Sequence, residues 1–310
     1  MVWRPQSPSI VIQPCRESSD MARIIGAIGT SHVPTIGLAY DRKKHDDPAW
    51  APLFKGYEPI AQWLREKEVD ALVFFYNDHC TSFFFDLYPT FALGVGDSFA
   101  IADEGAGPRP LPAIRGDVAL QSHILESLVN DEFDITVFQD KAIDHGCASP
   151  LPLLWSHEPD WPGVVVPIAI NVLQYPLPTG RRCYRLGQAV KRAVESYPVD
   201  LKVVVVGTGG LSHQIHGERT GFNNTEWDME FLELLEHDPV ALTKLRHADY
   251  VRLGGAESVE QIMWLAMRGA VDGTLKKLHQ NYYLATTTAM TAVLYEVAQD
   301  AGPVDEGVAP

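Results

Sequence analysis

The feature that most constrains this chain is a set of short apolar runs dense in β-branched residues: Ala22–Ile28, Ala71–Tyr76, Ile135–Phe138, Val164–Val172 and Lys202–Val206. They are nearly continuous rather than alternating, which is the pattern of strands buried on both faces. Helical patterns lie between them. Gly56–Lys67 sets Ile60, Trp63 and Leu64 on one face, and Asp117–Val129 does the same with Leu120, Ile124 and Leu128. Arg181–Tyr197 follows the same spacing and stops before Pro198, where a helix should stop. This alternation predicts an α/β fold, a mostly buried central sheet flanked by helices. The last third reads as helical over Glu226–Glu236, Val240–Leu245, Glu257–Arg268 and Thr286–Gln299, so the C-terminal part is expected to be helical. No internal repeat or linker divides the chain. The organisation expected is a flexible leader over 1–20, one domain over 21–300 and a flexible tail over 301–310. The leader is rich in Pro and Ser and precedes Met21, which is a candidate start alongside Met1.

Composition narrows the function by exclusion. The 310 residues carry a formal charge of −15, the wrong sign for gripping a phosphate backbone, so no nucleic-acid partner is expected. No apolar run approaches the roughly 20 residues of a membrane span. The four cysteines, Cys15, Cys80, Cys147 and Cys183, are far apart and form no CxxC. They read as reduced thiols of a cytoplasmic protein. HExxH, P-loop and GxSxG motifs are absent, and Gly207-Thr208-Gly209-Gly210 does not match a dinucleotide fingerprint.

What remains is a pattern of histidines. Four of the eleven follow expected strands: His32, His79, His145 and His213. Ligands in an α/β sheet bind beyond the carboxyl ends of the strands. If the strands are parallel, four imidazoles converge on one crevice. A single loop histidine is ordinarily a surface or hydrogen-bonded residue, but four at matching positions argue for a shared site. His123, His157, His237, His247 and His279 read as solvated or packing residues, and His216 is undecided. Gathered imidazoles suit acid/base work or a metal. Two histidines and a carboxylate with open positions suit non-haem Fe(II), and related sets suit zinc. The carboxylate candidates are Asp78, Asp144, Glu257 and Glu260. The last two stand three apart on one helix, and spacing alone does not separate them.

These motifs resemble the class III extradiol ring-cleavage dioxygenases, as in the β subunit of protocatechuate 4,5-dioxygenase and in gallate dioxygenase. The resemblance spans about Met21 to Glu296. It rests on Thr30-Ser31-His32-Val33-Pro34, Tyr76-Asn77-Asp78-His79, Ala102-Asp103-Glu104-Gly105 with Gly107-Pro108-Arg109, Asp144-His145-Gly146, Ser212-His213-Gln214 and Met263-Trp264 with Met267-Arg268-Gly269-Ala270. The stretch from His216 to Asp228 is similar to the gallate branch. The resemblance implies one Fe(II) held by His32, His79 and Glu260. It makes His213 the catalytic base and His145 a second active-site histidine touching the substrate oxygens. Asn77 and Thr286, Thr287 and Thr288 then line the aromatic pocket. The implied activity is cleavage of a catechol-type benzoate with O₂: protocatechuate 4,5-cleavage first, gallate or 3-O-methylgallate as the alternative. A zinc hydrolase and a non-catalytic binding protein on the same fold are the competing classes. A small α subunit and a dimer or α2β2 assembly are the implied partners, because gallate dioxygenases usually carry a fused C-terminal domain that this chain lacks.

Overall fold

The computed structural model describes residues 21–298, apart from 106 and 285. The expected leader over 1–20 and tail over 301–310 lie outside the described residues. The chain runs β1 (Arg23–Thr30), α1 (Pro34–Asp41), α2 (Ala51–Lys67), β2 (Ala71–Tyr76), β3 (Phe91–Gly94), β4 (Ser98–Phe99), β5 (Ile114–Arg115), α3 (Val118–Asn130) and β6 (Thr136–Phe138). It continues with α4 (His145–Ala148), α5 (Leu151–Leu154), β7 (Val164–Ile170), α6 (Gly180–Glu195), β8 (Lys202–Thr208), α7 (Thr225–His237), α8 (Pro239–Leu242) and α9 (His247–Gly254). A 3₁₀ turn (Ala256–Glu260), α10 (Gln261–Gly269), β9 (Leu275–Tyr283) and β10 (Met290–Val297) complete it. Among the described residues, eight strands form one sheet in the order β6-β3-β7-β2-β8-β1-β10-β9.

The four central strands β7, β2, β8 and β1 are parallel. Every residue of β2 is buried, and its side chains alternate between two cores. Val73 and Phe75 pack with α6 and α10 on one face, while Leu72, Phe74 and Tyr76 pack with α2 on the other. This two-sided cover is why the central runs lack polar alternation. The α/β fold is therefore as expected, and the C-terminal part is helical from Thr225 through Gly269.

The helical expectation over Thr286–Gln299 is corrected. Met290–Val297 is a strand, antiparallel to β1 on one side and to β9 on the other. Thr291, Val293 and Val297 are β-branched and stiff at χ1, and they favour an extended chain. A short apolar run does not reveal its period. β9 was not expected, because its sequence LKKLHQNYY is half-exposed and polar.

The α6–α10 crossing is close. A Cβ on Gly187 would lie 1.9 Å from the Ala266 carbonyl oxygen, and a backbone atom cannot swing aside. Gly187→Ala is expected to destabilise the protein by about 1–3 kcal/mol, as overpacking does, despite the better helix propensity of alanine. Urea unfolding of the two proteins checks this.

Candidate metal centre

Three neighbouring parallel strands deliver the site. β1 ends at Thr30 two residues before His32, β2 ends at Tyr76 before Asn77-Asp78-His79, and β8 ends at Thr208 before the loop to His213. Their carboxyl ends are adjacent because the order is β2-β8-β1. The fourth contribution, Glu260, comes from the last residue of the 3₁₀ turn and is buried.

His32 Nε2 lies 3.2 Å from Glu260 Oε2, and His79 Nε2 lies 3.8 Å from Glu260 Oε1. The other nitrogen of each ring is already engaged. His32 Nδ1 meets Thr208 Oγ1 at 2.9 Å, and His79 Nδ1 meets Asp144 Oδ2 at 3.0 Å. The backbone N–H of His79 also donates to Asp144 Oδ2, at 2.6 Å. Glu260 Oε2 accepts the Gly210 N–H at 2.7 Å. Partners on Nδ1 fix ring orientation and leave Nε2 for a ligand, the arrangement found around metal-binding imidazoles.

Charge follows from this geometry. Burial lowers the His32 imidazole below its ordinary value, against the pull of Glu260. Burial also opposes charge on His79, but hydrogen bonds and charges from Asp144 and Glu260 overcome it and raise the group to about 10. Burial would raise Asp144, yet His79 and His145 hold it at about 2. Glu260 is likewise buried, and the surrounding imidazoles keep it well below the ordinary carboxylate range. The metal-free cluster thus holds an ionised Glu260, a neutral His32 and a proton on His79.

His145 arrives by a route the sequence did not show. β6 pairs parallel with β3, and β3 is antiparallel to β7. The carboxyl end of β6 therefore points away from the crevice, and the expected delivery from a parallel strand end does not hold for this histidine. The chain returns over residues 139–144, steadied by hydrogen bonds between Ala102 N–H and Ile143 O and between Ile143 N–H and Ala100 O. His145 then opens α4 and stacks on His79, with ring centroids 3.8 Å apart. Ligand atoms of His32, His79 and His145 lie within 4.8 Å of one another.

His213 is buried on the loop after β8. Its Nδ1–H donates to the Leu211 carbonyl at 2.8 Å, and its backbone N–H donates to Gly254 O at 2.7 Å. Gly210 makes room for it, since a Cβ there would lie 2.5 Å from His213 Cε1.

The other candidate carboxylates have other uses. Asp78 accepts the N–H groups of Thr81, Ser82 and Phe83 and closes a turn. Asp144 clamps His79. Glu257 accepts the Ile215 N–H at 3.2 Å, beside an exposed His216. Asn77 is buried, with Nδ2 3.0 Å from His79 Nε2 and Oδ1 lacking a hydrogen-bond partner among the described residues. Thr288 is buried and bridges to His213, whereas Thr287 is exposed and Thr286 partly so. Sequence reading missed Thr208 and the clamping use of Asp144. Thr208 stands at a strand end, a signal that was available. Of the histidines left aside, His123, His247 and His279 bond to backbone carbonyls, as packing residues do.

Fold and cluster together define an α/β protein with a histidine-rich site, at the carboxyl edge of a parallel sheet, able to hold one metal ion. Residues 26–295 match the family described as the catalytic LigB subunit of aromatic ring-opening dioxygenase, and the chain belongs to that family. It is similar to gallate dioxygenase of Pseudomonas putida, 51% identical over 208 residues, 66% of this chain and 61% of that protein. It thus spans about three fifths of that relative's length. It is also similar to 2,3-dihydroxyphenylpropionate/2,3-dihydroxicinnamic acid 1,2-dioxygenases. The one from Burkholderia vietnamiensis is 29% identical over 290 residues, 78% of this chain and 86% of that protein. The one from Klebsiella pneumoniae is 34% identical over 189 residues, 59% and 55% respectively. No helix among the described residues is long and apolar enough to cross a membrane.

Proposed function

We propose that this chain is a non-haem Fe(II) extradiol dioxygenase that opens the ring of gallate with O₂. One observation carries the reading: the Nε2 atoms of His32 and His79 converge on the Glu260 carboxylate while both Nδ1 atoms are held from behind. Two imidazoles and one carboxylate are the donor set of non-haem Fe(II) oxygenases, so these residues fit the ion. Bound iron supplies the electronic path between a catechol and triplet O₂, and it holds both close together. His213, its Nδ1–H given to Leu211, keeps a bare Nε2 to take the second phenolic proton. His145 contacts the substrate oxygens, and Asn77 with Thr286, Thr287 and Thr288 lines the ring pocket. Support for the substrate comes from the 51% identity to a gallate dioxygenase. That favours gallate, the alternative drawn from the sequence, over protocatechuate. Oxygen uptake by anaerobically Fe(II)-loaded protein, given gallate, protocatechuate and 3-O-methylgallate, tests it. The highest kcat/KM is expected for gallate. A higher value for protocatechuate overturns the substrate, and turnover with Zn(II) but not Fe(II) overturns the class.

The cluster's protons give a second test. His79 is held protonated up to about 10, and His32 is pushed the other way, toward its neutral form. Metal binding must therefore displace one proton, from His79, and affinity should fall about tenfold per unit as pH drops below that value. Calorimetry in buffers of different ionisation enthalpy should report about one proton released per metal at neutral pH. No release would mean that His79 is not a ligand or is already neutral in the metal-free protein.

We also propose a small α subunit over the cleft. Support comes from the loops after β2 and β7, where the large side chains of Phe85, Leu87 and Tyr175 are 74%, 79% and 82% exposed. Adding the partner should raise turnover. Full activity of the chain alone would argue against it.

A further inference from the structure

The motif Ala102-Asp103-Glu104-Gly105 has no part in the chemistry above, yet Glu104 reaches into the site. Its Oε2 accepts the backbone N–H of His145 at 2.9 Å, and its Oε1 accepts from His145 Nδ1 at 2.6 Å. This repeats the grip of Asp144 on His79, where one carboxylate takes both the backbone N–H and the ring Nδ1–H. The two clamps are joined, because Asp144 and His145 are consecutive and the two gripped rings stack. The loop on either side of Glu104 is tied down. Asp103 Oδ1 accepts the N–H groups of Gly105 and Gly107 at 2.9 and 3.0 Å, and Arg109 forms a two-pronged pair with Asp41 at 2.8 Å. A solvated Glu–His pair is ordinarily worth little. Here the His145 side chain is only 12% exposed, and the carboxylate takes two N–H groups at once.

We propose that Glu104 is a positioning residue that acts through His145. By accepting from Nδ1–H it fixes the tautomer and orientation of the ring, so that Nε2 faces the cleft. The role rests on the proposed reading of His145 as a substrate contact.

The test uses the full chain with Glu104→Ala and Glu104→Gln. In protein labelled with ¹⁵N-histidine and loaded with diamagnetic Zn(II), the His145 nitrogens, assigned with His145→Gln, should show Nδ1 protonated and Nε2 bare. Glu104→Gln, which still accepts one N–H, should keep that pattern, and Glu104→Ala should lose it. In Fe(II)-loaded protein, Glu104→Ala should lower kcat by about 10–100-fold, by analogy with the range for outer partners of metal-ligating histidines, with iron content and KM little changed. Glu104→Gln should fall between. Unchanged His145 nitrogens and unchanged kcat in Glu104→Ala would overturn the proposal, as would loss of iron together with kcat. If the wild-type chain cleaves no ring, the proposed function fails. The nitrogen shifts then still decide whether Glu104 holds His145.

Discussion

Glu260→Ala is expected to strip the chain of iron and of ring cleavage together, while Glu257→Ala keeps both. The two acids stand three residues apart, and in a 3₁₀ turn such positions eclipse one another. Their surroundings differ. Glu260 is buried between two imidazole Nε2 atoms and the Gly210 N–H. Glu257 bonds the Ile215 N–H and faces an exposed His216. Losing an outer partner of a metal ligand already costs about 10–100-fold in metal affinity, so losing a direct bond should exceed that. Iron per chain, measured after desalting, should fall by about tenfold or more in Glu260→Ala, with oxygen uptake falling in step. Iron retained in Glu260→Ala but lost in Glu257→Ala would reassign the carboxylate ligand.

His213→Gln should do the opposite to the metal. The side chain bonds Leu211 O through Nδ1, so its loss removes no link between His32, His79 and Glu260. A glutamine can still donate there, but it cannot take a phenolic proton. Iron should remain at the wild-type level while kcat falls roughly 10²–10⁴-fold, the usual worth of general acid/base catalysis. Substrates with a more acidic phenol should lose less. A variant that keeps both iron and rate would move the base to His145 or to water. A variant that loses iron would make His213 a ligand.

The central strands and three of the four histidine positions were legible in the sequence for a local reason. A strand buried on both faces must be apolar at nearly every residue, as in β2 and β8, and a loop residue just after such a strand sits at the sheet edge whatever the rest of the chain does. That reasoning carried His32, His79 and His213 to one crevice. It failed for β10, whose apolar run fits either period, and for β9, whose half-exposed face looks polar. It also failed for the path to His145, because β6 is reversed by pairing with β3, a four-residue strand. Strand direction and the clamps of Asp144 on His79 and Glu104 on His145 depend on distant segments, the clamped residues lying 65 and 41 apart, whereas Glu260 was set apart from Glu257 by the resemblance and not by spacing. Burial period is written in consecutive side chains, so the sequence by itself determined the layers and the edge where the site would lie. Which carboxylate meets which imidazole depends on contacts between distant segments, and only the tertiary structure decided it.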